Sequence, residues 1–172
     1  MANLTFVTGV ESGSDFVRVG HNSSAVNNDA VWSFTPTAAA SDAVFVFKWN
    51  NSDAGTGWKG SFDYVFGISE NGENGRLAES CSSKEIVTLS GDSGTAIVKF
   101  IGLSLKANTT YYIRANLNED TKSTMKAFYQ DGNTVTLTAK SANIVFNGEA
   151  VENVIYNGNE VTSLIYNGNT IF

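Results

Sequence analysis

Short runs of alternating apolar and polar residues constrain this chain of 172 residues more than any other feature. In the stretch SFDYVFGIS, residues 61–69, every second side chain is apolar: Phe62, Tyr64, Phe66 and Ile68. A period of two is typical of a strand with one face against a core. The segment AVFVFKW, residues 43–49, is apolar on both faces and is therefore predicted to be a central strand.

The same pattern predicts about nine short strands in residues 1–140. Besides the two segments above, they cover residues 3–8, 16–19, 30–35, 86–89, 95–102, 109–117 and 134–138. The closest approach to a helical repeat, residues 123–129, is barely two turns long, so no helix is predicted. Glycine-rich turns between such strands favour an all-β fold, an antiparallel two-sheet sandwich of the jelly-roll type.

Residues 141–172 contain three copies of a unit built around Asn-Gly: IVFNG, VIYNG and LIYNG. Asn-Gly suits a type I′ turn, because both central residues of that turn need positive φ. A two-residue turn fixes the register, pairing Ile144 with Val151 and Phe146 with Glu149. The tail is therefore predicted to be a short repeat of three β-hairpins, separate from the sandwich of residues 1–140.

Each predicted hairpin has one apolar face that needs a partner surface. Arms of about three residues are marginal alone in water, so this face is expected to lie against the sandwich, a copy of the chain or another subunit. The residues predicted to form this assembly interface are Ile144, Phe146, Val154, Tyr156, Leu164, Tyr166 and Ile171.

The recurring unit, which ends the chain as YNGNTIF, resembles C-terminal modules of small structural proteins from tailed bacteriophages and prophages. The resemblance implies a non-enzymatic virion component, such as a capsid decoration, fibre or tail protein, whose hairpins anchor it and whose sandwich is displayed. Its implied partners are other virion proteins or copies of itself, and its implied location is the virion. Release by lysis would agree with a start, MANLTFVTGVESGSD, that has no secretory signal pattern.

The alternative function is a carbohydrate-binding module that recognises glycans on a host surface. Trp49 and Trp58 bracket the loop NNSDAGTG, where a flat ring beside amide and carboxylate groups suits a sugar face and its hydroxyls. The predicted glycan-binding residues are Trp58, Trp49, Asn51 and Asp53. Trp49 has a second interpretation, because it ends an apolar strand and large aromatic side chains commonly fill cores.

The charge balance argues against two classes of partner. With 11 Lys and Arg against 17 Asp and Glu, the chain has a net charge of -6 and repels phosphate backbones and anionic lipid. Neither nucleic acid nor a membrane is therefore predicted as a partner, and no stretch is apolar for long enough to span a bilayer. Protein and neutral glycan fit better.

No catalytic residue, metal site or cofactor is predicted, and the chain is not expected to be an enzyme. GDSG at residues 91–94 matches the surroundings of a serine-protease nucleophile, but such a serine needs an oriented histidine. His21, the single histidine, lacks the expected flanking residues, so GDSG is interpreted as a turn. Loop carboxylates such as Glu70 and Glu119 do not match EF-hand spacing, and Cys81, the single cysteine, is expected to be inert.

Overall fold

The computed structural model shows an all-β chain. It describes residues 1–11, 15–20, 29–50, 61–70, 78, 81–118 and 124–139, together with six short strands between residues 144 and 170. The chain divides into two compact units, Met1–Ala139 and Lys140–Phe172. Among the residues described, no helix has the length and hydropathy that a membrane crossing requires.

The described part of the first unit contains twelve strands. In chain order they are β1 (Ala2–Asn3), β2 (Thr5–Thr8), β3 (Val10–Glu11), β4 (Phe16–Gly20), β5 (Ala30–Phe34), β6 (Asp42–Asn50), β7 (Phe62–Ser69), β8 (Ser83–Leu89), β9 (Ser93–Phe100), β10 (Tyr111–Leu117), β11 (Thr124–Tyr129) and β12 (Thr134–Thr138). Seven of these strands form one sheet and five form the other. The pairings in both sheets are antiparallel, which confirms the predicted two-sheet sandwich.

β6 is the central strand of the seven-stranded sheet. Along one edge it pairs with β9, from Ala43 with Phe100 to Asn50 with Ser93. Along its other edge it pairs with β12 and then with β11, which lie end to end. β4 and β3 extend the sheet beyond β11, and β1 extends it beyond β12. The prediction that residues 43–49 form a central strand is confirmed.

β11 is a strand that the alternation of apolar and polar residues does not predict. Residues 123–129 come nearest to a helical repeat, but Thr124–Tyr129 form a strand between β4 and β6. Its pairing with β4 shifts register between Thr124 and Lys126, and such an irregularity disturbs the alternation by which a strand is recognised. Phe128 nevertheless packs in the core, 6.2 Å from Phe47 between ring centroids.

The five-stranded sheet has the order β2-β5-β10-β7-β8. Alternation predicts six inward side chains in residues 30–35 and 61–69, and five of them are buried: Trp32, Phe34, Tyr64, Phe66 and Ile68. The sixth, Phe62, is half-buried and packs against the edge of this core. They pack against the inward side chains of β6, with ring centroids 4.9 Å apart for Trp32 and Phe47. A core rich in aromatic pairs therefore joins the two sheets, and each pair contributes about 0.5–1.5 kcal/mol beyond its buried area.

The second unit contains three antiparallel strand pairs. β13 (Ile144–Phe146) pairs with β14 (Glu149–Val151), β15 (Ile155–Tyr156) with β16 (Asn159–Glu160), and β17 (Ile165–Tyr166) with β18 (Asn169–Thr170). In the first pair Ile144 lies opposite Val151 and Phe146 opposite Glu149. This is the register that a two-residue turn imposes.

Candidate ligand-binding cleft

A cleft of about 400 Å³ opens at one end of the first unit. It lies where β7 ends and where β8 and β10 begin, beside residues 101–110, which connect β9 to β10. The lining residues are Ile68, Ser69, Glu70, Ser82, Ser83, Leu103, Ser104, Leu105 and Tyr111. A volume of this size falls within the range of about 300–1,000 Å³ that is common for small-molecule sites.

The buried part of the lining is mostly apolar. Ile68, Leu105 and Tyr111 are 5%, 5% and 3% exposed, and Leu103 is also buried. The Tyr111 ring stacks on Phe34, with 5.8 Å between ring centroids, so it is held by the core of the sandwich. These side chains form the rigid apolar floor of the cleft, and only a few per cent of each is open to a ligand.

The exposed part of the lining is polar. Ser82, Ser104 and Glu70 are exposed, and Ser83 is half-buried. A serine hydroxyl both donates and accepts hydrogen bonds, and a carboxylate accepts from two neighbouring hydroxyls. Among the part of the lining that the structure describes, Glu70 is the one charged side chain. The rim is therefore suited to ligands with several uncharged hydroxyl groups.

Backbone hydrogen bonds hold the wall that contains Leu103 and Leu105. The Leu103 N–H donates to the carbonyl of Ser41 at 2.6 Å. Leu105 and Ala40 exchange two backbone hydrogen bonds of 3.0 Å each. These bonds join the wall to the residues just before β6. The wall is thus held by hydrogen bonds of the fold itself, which lowers the entropy cost of binding a ligand.

Two turns in residues 101–110, at Gly102 and at Asn108, have a defined backbone conformation as well. Gly102 has φ +73°, and its N–H donates to the Asp42 carboxylate at 3.0 Å. Asn108 has φ +58°, a left-handed conformation that Asn tolerates better than most residues. The Tyr111 hydroxyl accepts a hydrogen bond of 2.9 Å from the Lys106 N–H. The side of the cleft formed by this segment therefore has several independent anchors.

The structure differs from the glycan-binding prediction for Trp49. This side chain is 3% exposed and belongs to the core, because it lies on the inward face of β6 with Phe45 and Phe47. A buried ring has no open face for a sugar, so the core interpretation of Trp49 is the one that the structure supports. The other residues of that prediction, Trp58, Asn51 and Asp53, lie outside the described residues.

The structure describes only some of the residues that are predicted to form the assembly interface. Of the predicted assembly residues, Ile144, Phe146, Tyr156 and Tyr166 lie on described strands, whereas Val154, Leu164 and Ile171 lie outside the described residues. Their anchoring role stays a prediction.

Within the GDSG motif, Gly91 lies in the turn between β8 and β9 at φ +91°, and Ser93 begins β9.

The structure describes only some of the side chains that bear on the metal and cysteine predictions. Within the described ranges, no three His, Cys, Asp or Glu side chains come together as a group that could hold a metal ion. His21 lies outside those ranges. Cys81 is buried, at 5% exposure, next to the start of β8.

Comparison with known proteins finds six similar chains among the solved structures, and two of them follow. No protein-family model and no curated protein matches the chain. One structure is "CBM35 from Cellvibrio japonicus Abf62", with 12% sequence identity and a TM-score of 0.43, covering 81% of this chain and 94% of that one. The other is a family 35 carbohydrate binding module from an environmental isolate, with 15% identity and a TM-score of 0.39, covering 81% of this chain and 91% of that one.

Proposed function

We propose that the β-sandwich is a non-catalytic carbohydrate-binding module whose ligand lies in the cleft at the end of β7. The observation that carries the proposal is the division of the lining into buried apolar side chains and an exposed rim of serine hydroxyls with one carboxylate. A pyranose ring has the complementary surface, with C–H groups on its faces and hydroxyls around its edge. Both solved structures reported above are named as carbohydrate-binding modules, the same class of function.

The charges favour a neutral glycan over other ligands that a cleft of this size accepts. Glu70 is the charged group among the described residues of the lining, and the whole chain has a net charge of -6, so both oppose the binding of anionic ligands. The serine rim does not suit a lipid chain, because its hydroxyls would lose their hydrogen bonds to water. An open cleft of this kind predicts weak binding, with a Kd of roughly 10 μM to 1 mM.

The direct test is a titration of the isotope-labelled full chain, followed by amide NMR. The probes are three neutral oligosaccharides: mannopentaose, cellopentaose and N-acetylchitopentaose. We expect at least one probe to shift the amides of Ser82, Ser83 and Ser104, and to leave those of β9 near Ser93 unchanged. No shift at about 10 mM of any probe, a concentration well above the expected Kd, would rule out the proposed function.

A blocking variant locates the site. Ser104→Trp places a bulky ring on the rim and is expected to weaken binding at least tenfold. Ser93→Trp is the matched control, because Ser93 is also exposed but lies at the other end of β9 from the cleft. Equal affinities of the two variants would mean that the sugar binds elsewhere on the chain.

A second candidate function is that of a virion structural protein anchored by its C-terminal hairpins. It is supported by the three antiparallel strand pairs of the second unit, whose arms of two or three residues are too short to be stable alone. The two functions are compatible in one chain. Sedimentation of the full chain and of residues 1–139 tests the second: we expect the full chain to form oligomers and the truncated chain to be monomeric. A monomeric full chain would remove self-assembly from this proposal.

A further inference from the structure

The outer face of the five-stranded sheet carries a second buried layer. Arg114 and Asn116 alternate along β10 with side chains of the main core, yet they are only 4% and 2% exposed. On the neighbouring strands, Val31 and Val65 are each 1% exposed and lie outside the main core cluster. Charged and amide side chains are rarely buried to this degree unless other groups cover them and pair with them.

Part of the cover is a pair of residues just before β8, Ala78 and Cys81, here called the cap. The Cys81 N–H donates to the Ala78 carbonyl at 3.2 Å, and both residues are buried. The cap lies directly on Gly67 of β7. A Cβ atom at position 67 would be 2.6 Å from the Ala78 carbonyl oxygen and 2.8 Å from the Cys81 Sγ. Only glycine therefore leaves room for the cap at this point of the sheet.

Asp29 joins the cap to the sheet. Its Oδ2 accepts a hydrogen bond of 2.8 Å from the Ala78 N–H, and its Oδ1 accepts one from the Asn116 side-chain amide. The Arg114 guanidinium lies 4.0 Å from the same Oδ2. Asp29 is 4% exposed, so these interactions are shielded from water and stronger than they would be at the surface.

The cap leads directly into one wall of the cleft. Ser82 follows Cys81, and Ser83 begins β8 opposite Ile68, which also lines the cleft. The other wall, at Leu103 and Leu105, depends on separate bonds to Ser41 and Ala40. A displacement of the cap is therefore expected to move one wall and leave the other in place.

We propose that Asp29 is a positioning residue for the cleft: from the outer face of the sheet, its carboxylate holds the cap and thereby the rim hydroxyls of Ser82 and Ser83. The ligand-binding part of this inference rests on the proposed function. Asp29 does not line the cleft and makes no contact with a ligand. Its effect on binding is indirect, through the placement of two hydroxyl groups.

Two variants disturb the cap in different ways. Asp29→Asn weakens the acceptor of the Ala78 N–H, and Gly67→Ala pushes the cap outward without a change in charge. Asp63→Asn is the matched control, since Asp63 lies at the far end of β7 and accepts a hydrogen bond of 2.6 Å from Thr88 Oγ1. All three are made in the full chain, and near-ultraviolet circular dichroism shows whether each is folded.

The variants Asp29→Asn and Gly67→Ala are expected to change one wall of the cleft only, and two kinds of measurement show this. In Asp29→Asn and Gly67→Ala, the amide signals of Ser82 and Ser83 shift and the Ala78 amide exchanges with solvent at least about tenfold faster, while Leu103 and Leu105 keep their signals. The affinity for whichever of the three pentasaccharides the natural chain binds falls about tenfold. Asp63→Asn changes neither the Ser82 and Ser83 signals nor the affinity. A general loss of stability would instead affect both walls.

The outcomes separate this inference from the proposed function. Unchanged Ser82 and Ser83 signals in both folded variants overturn the positioning role, and so does unchanged affinity despite shifted signals. If Asp29→Asn does not fold, Gly67→Ala decides the question by the same measurements. If the natural chain binds none of the three sugars, the proposed function fails, and the Ser82 and Ser83 signals alone decide whether Asp29 holds the wall.

Discussion

The indole N–H of Trp32, in the five-stranded sheet, donates a hydrogen bond of 2.9 Å to the backbone carbonyl of Gln130, which lies between β11 and β12 of the other sheet. Trp32→Phe removes this donor and part of a fully buried ring. We expect the free energy of unfolding to fall by about 2–4 kcal/mol, measured by urea titration. Ile101→Ala is the control, because Ile101 is 83% exposed and its truncation should cost less than about 0.5 kcal/mol.

Asn133 is predicted to be as important for stability as a large core residue. Its side chain is fully buried, accepts a hydrogen bond of 3.0 Å from the Lys48 N–H and donates one of 2.7 Å to the Tyr129 carbonyl. Asn133→Ala deprives two part-buried backbone groups of this partner and leaves a cavity in place of a fully buried side chain, which should cost about 2–4 kcal/mol. Thermal unfolding measures the loss. Equal melting temperatures for this variant and for the exposed control Asn118→Ala would contradict the prediction.

Asn108 tests the left-handed turn beside the cleft. Because its φ is +58°, Asn108→Gly should be neutral within about 0.5 kcal/mol, whereas Asn108→Val should cost about 1–2 kcal/mol. Both variants keep the backbone N–H that donates to the Pro36 carbonyl at 2.8 Å. Calorimetry of the two variants gives the comparison. A valine variant as stable as the glycine variant would mean that the turn relaxes at no cost.

Glu70 is predicted to set the preference for neutral over anionic sugars. In Glu70→Gln, a neutral glycan loses a charge-assisted acceptor and a uronic acid loses a repulsive neighbour, so the affinity ratio of anionic to neutral sugar should rise about tenfold. Titration at low salt measures this ratio with a matched pair: the methyl glycoside of the sugar in whichever pentasaccharide the natural chain binds, and the corresponding methyl uronide. Glu85→Gln is the control, since Glu85 is exposed on β8 and does not line the cleft. The same ratio in both variants would exclude a role for Glu70.

Much of the fold follows from local patterns in the sequence. The strand at residues 134–138 has the predicted bounds, and the inward aromatic residues of β5 and β7 are those that alternation selects. β8 begins earlier than predicted, at Ser83, because its first residues, SKE, are polar and give no apolar alternation. The sheet order depends on pairings between distant segments, such as β6 with β9, and no local pattern encodes them.

The cleft is harder to predict for the same reason. Its lining comes from separate segments, at residues 68–70, 82–83, 103–105 and 111, and its polar groups are mainly serines, which are common in any loop. A tryptophan beside a polar loop is a more specific sequence pattern for sugar binding. It predicts Trp49 as a glycan-binding residue, but this side chain is buried in the core. Local sequence shows which residues can contact a sugar, whereas tertiary pairing decides which of them reach the surface together.

The position of β6 has a consequence for synthesis of the chain. β6 leaves the ribosome long before β9, β11 and β12, which pair with its two edges. Until then the nascent chain exposes an unpaired strand that carries Phe45, Phe47 and Trp49, and such an edge is a template for pairing with other unfinished chains. Fragments that stop before Thr138 are therefore expected to aggregate during expression, and chaperone binding to the nascent chain should be strongest between completion of β6 and emergence of β12.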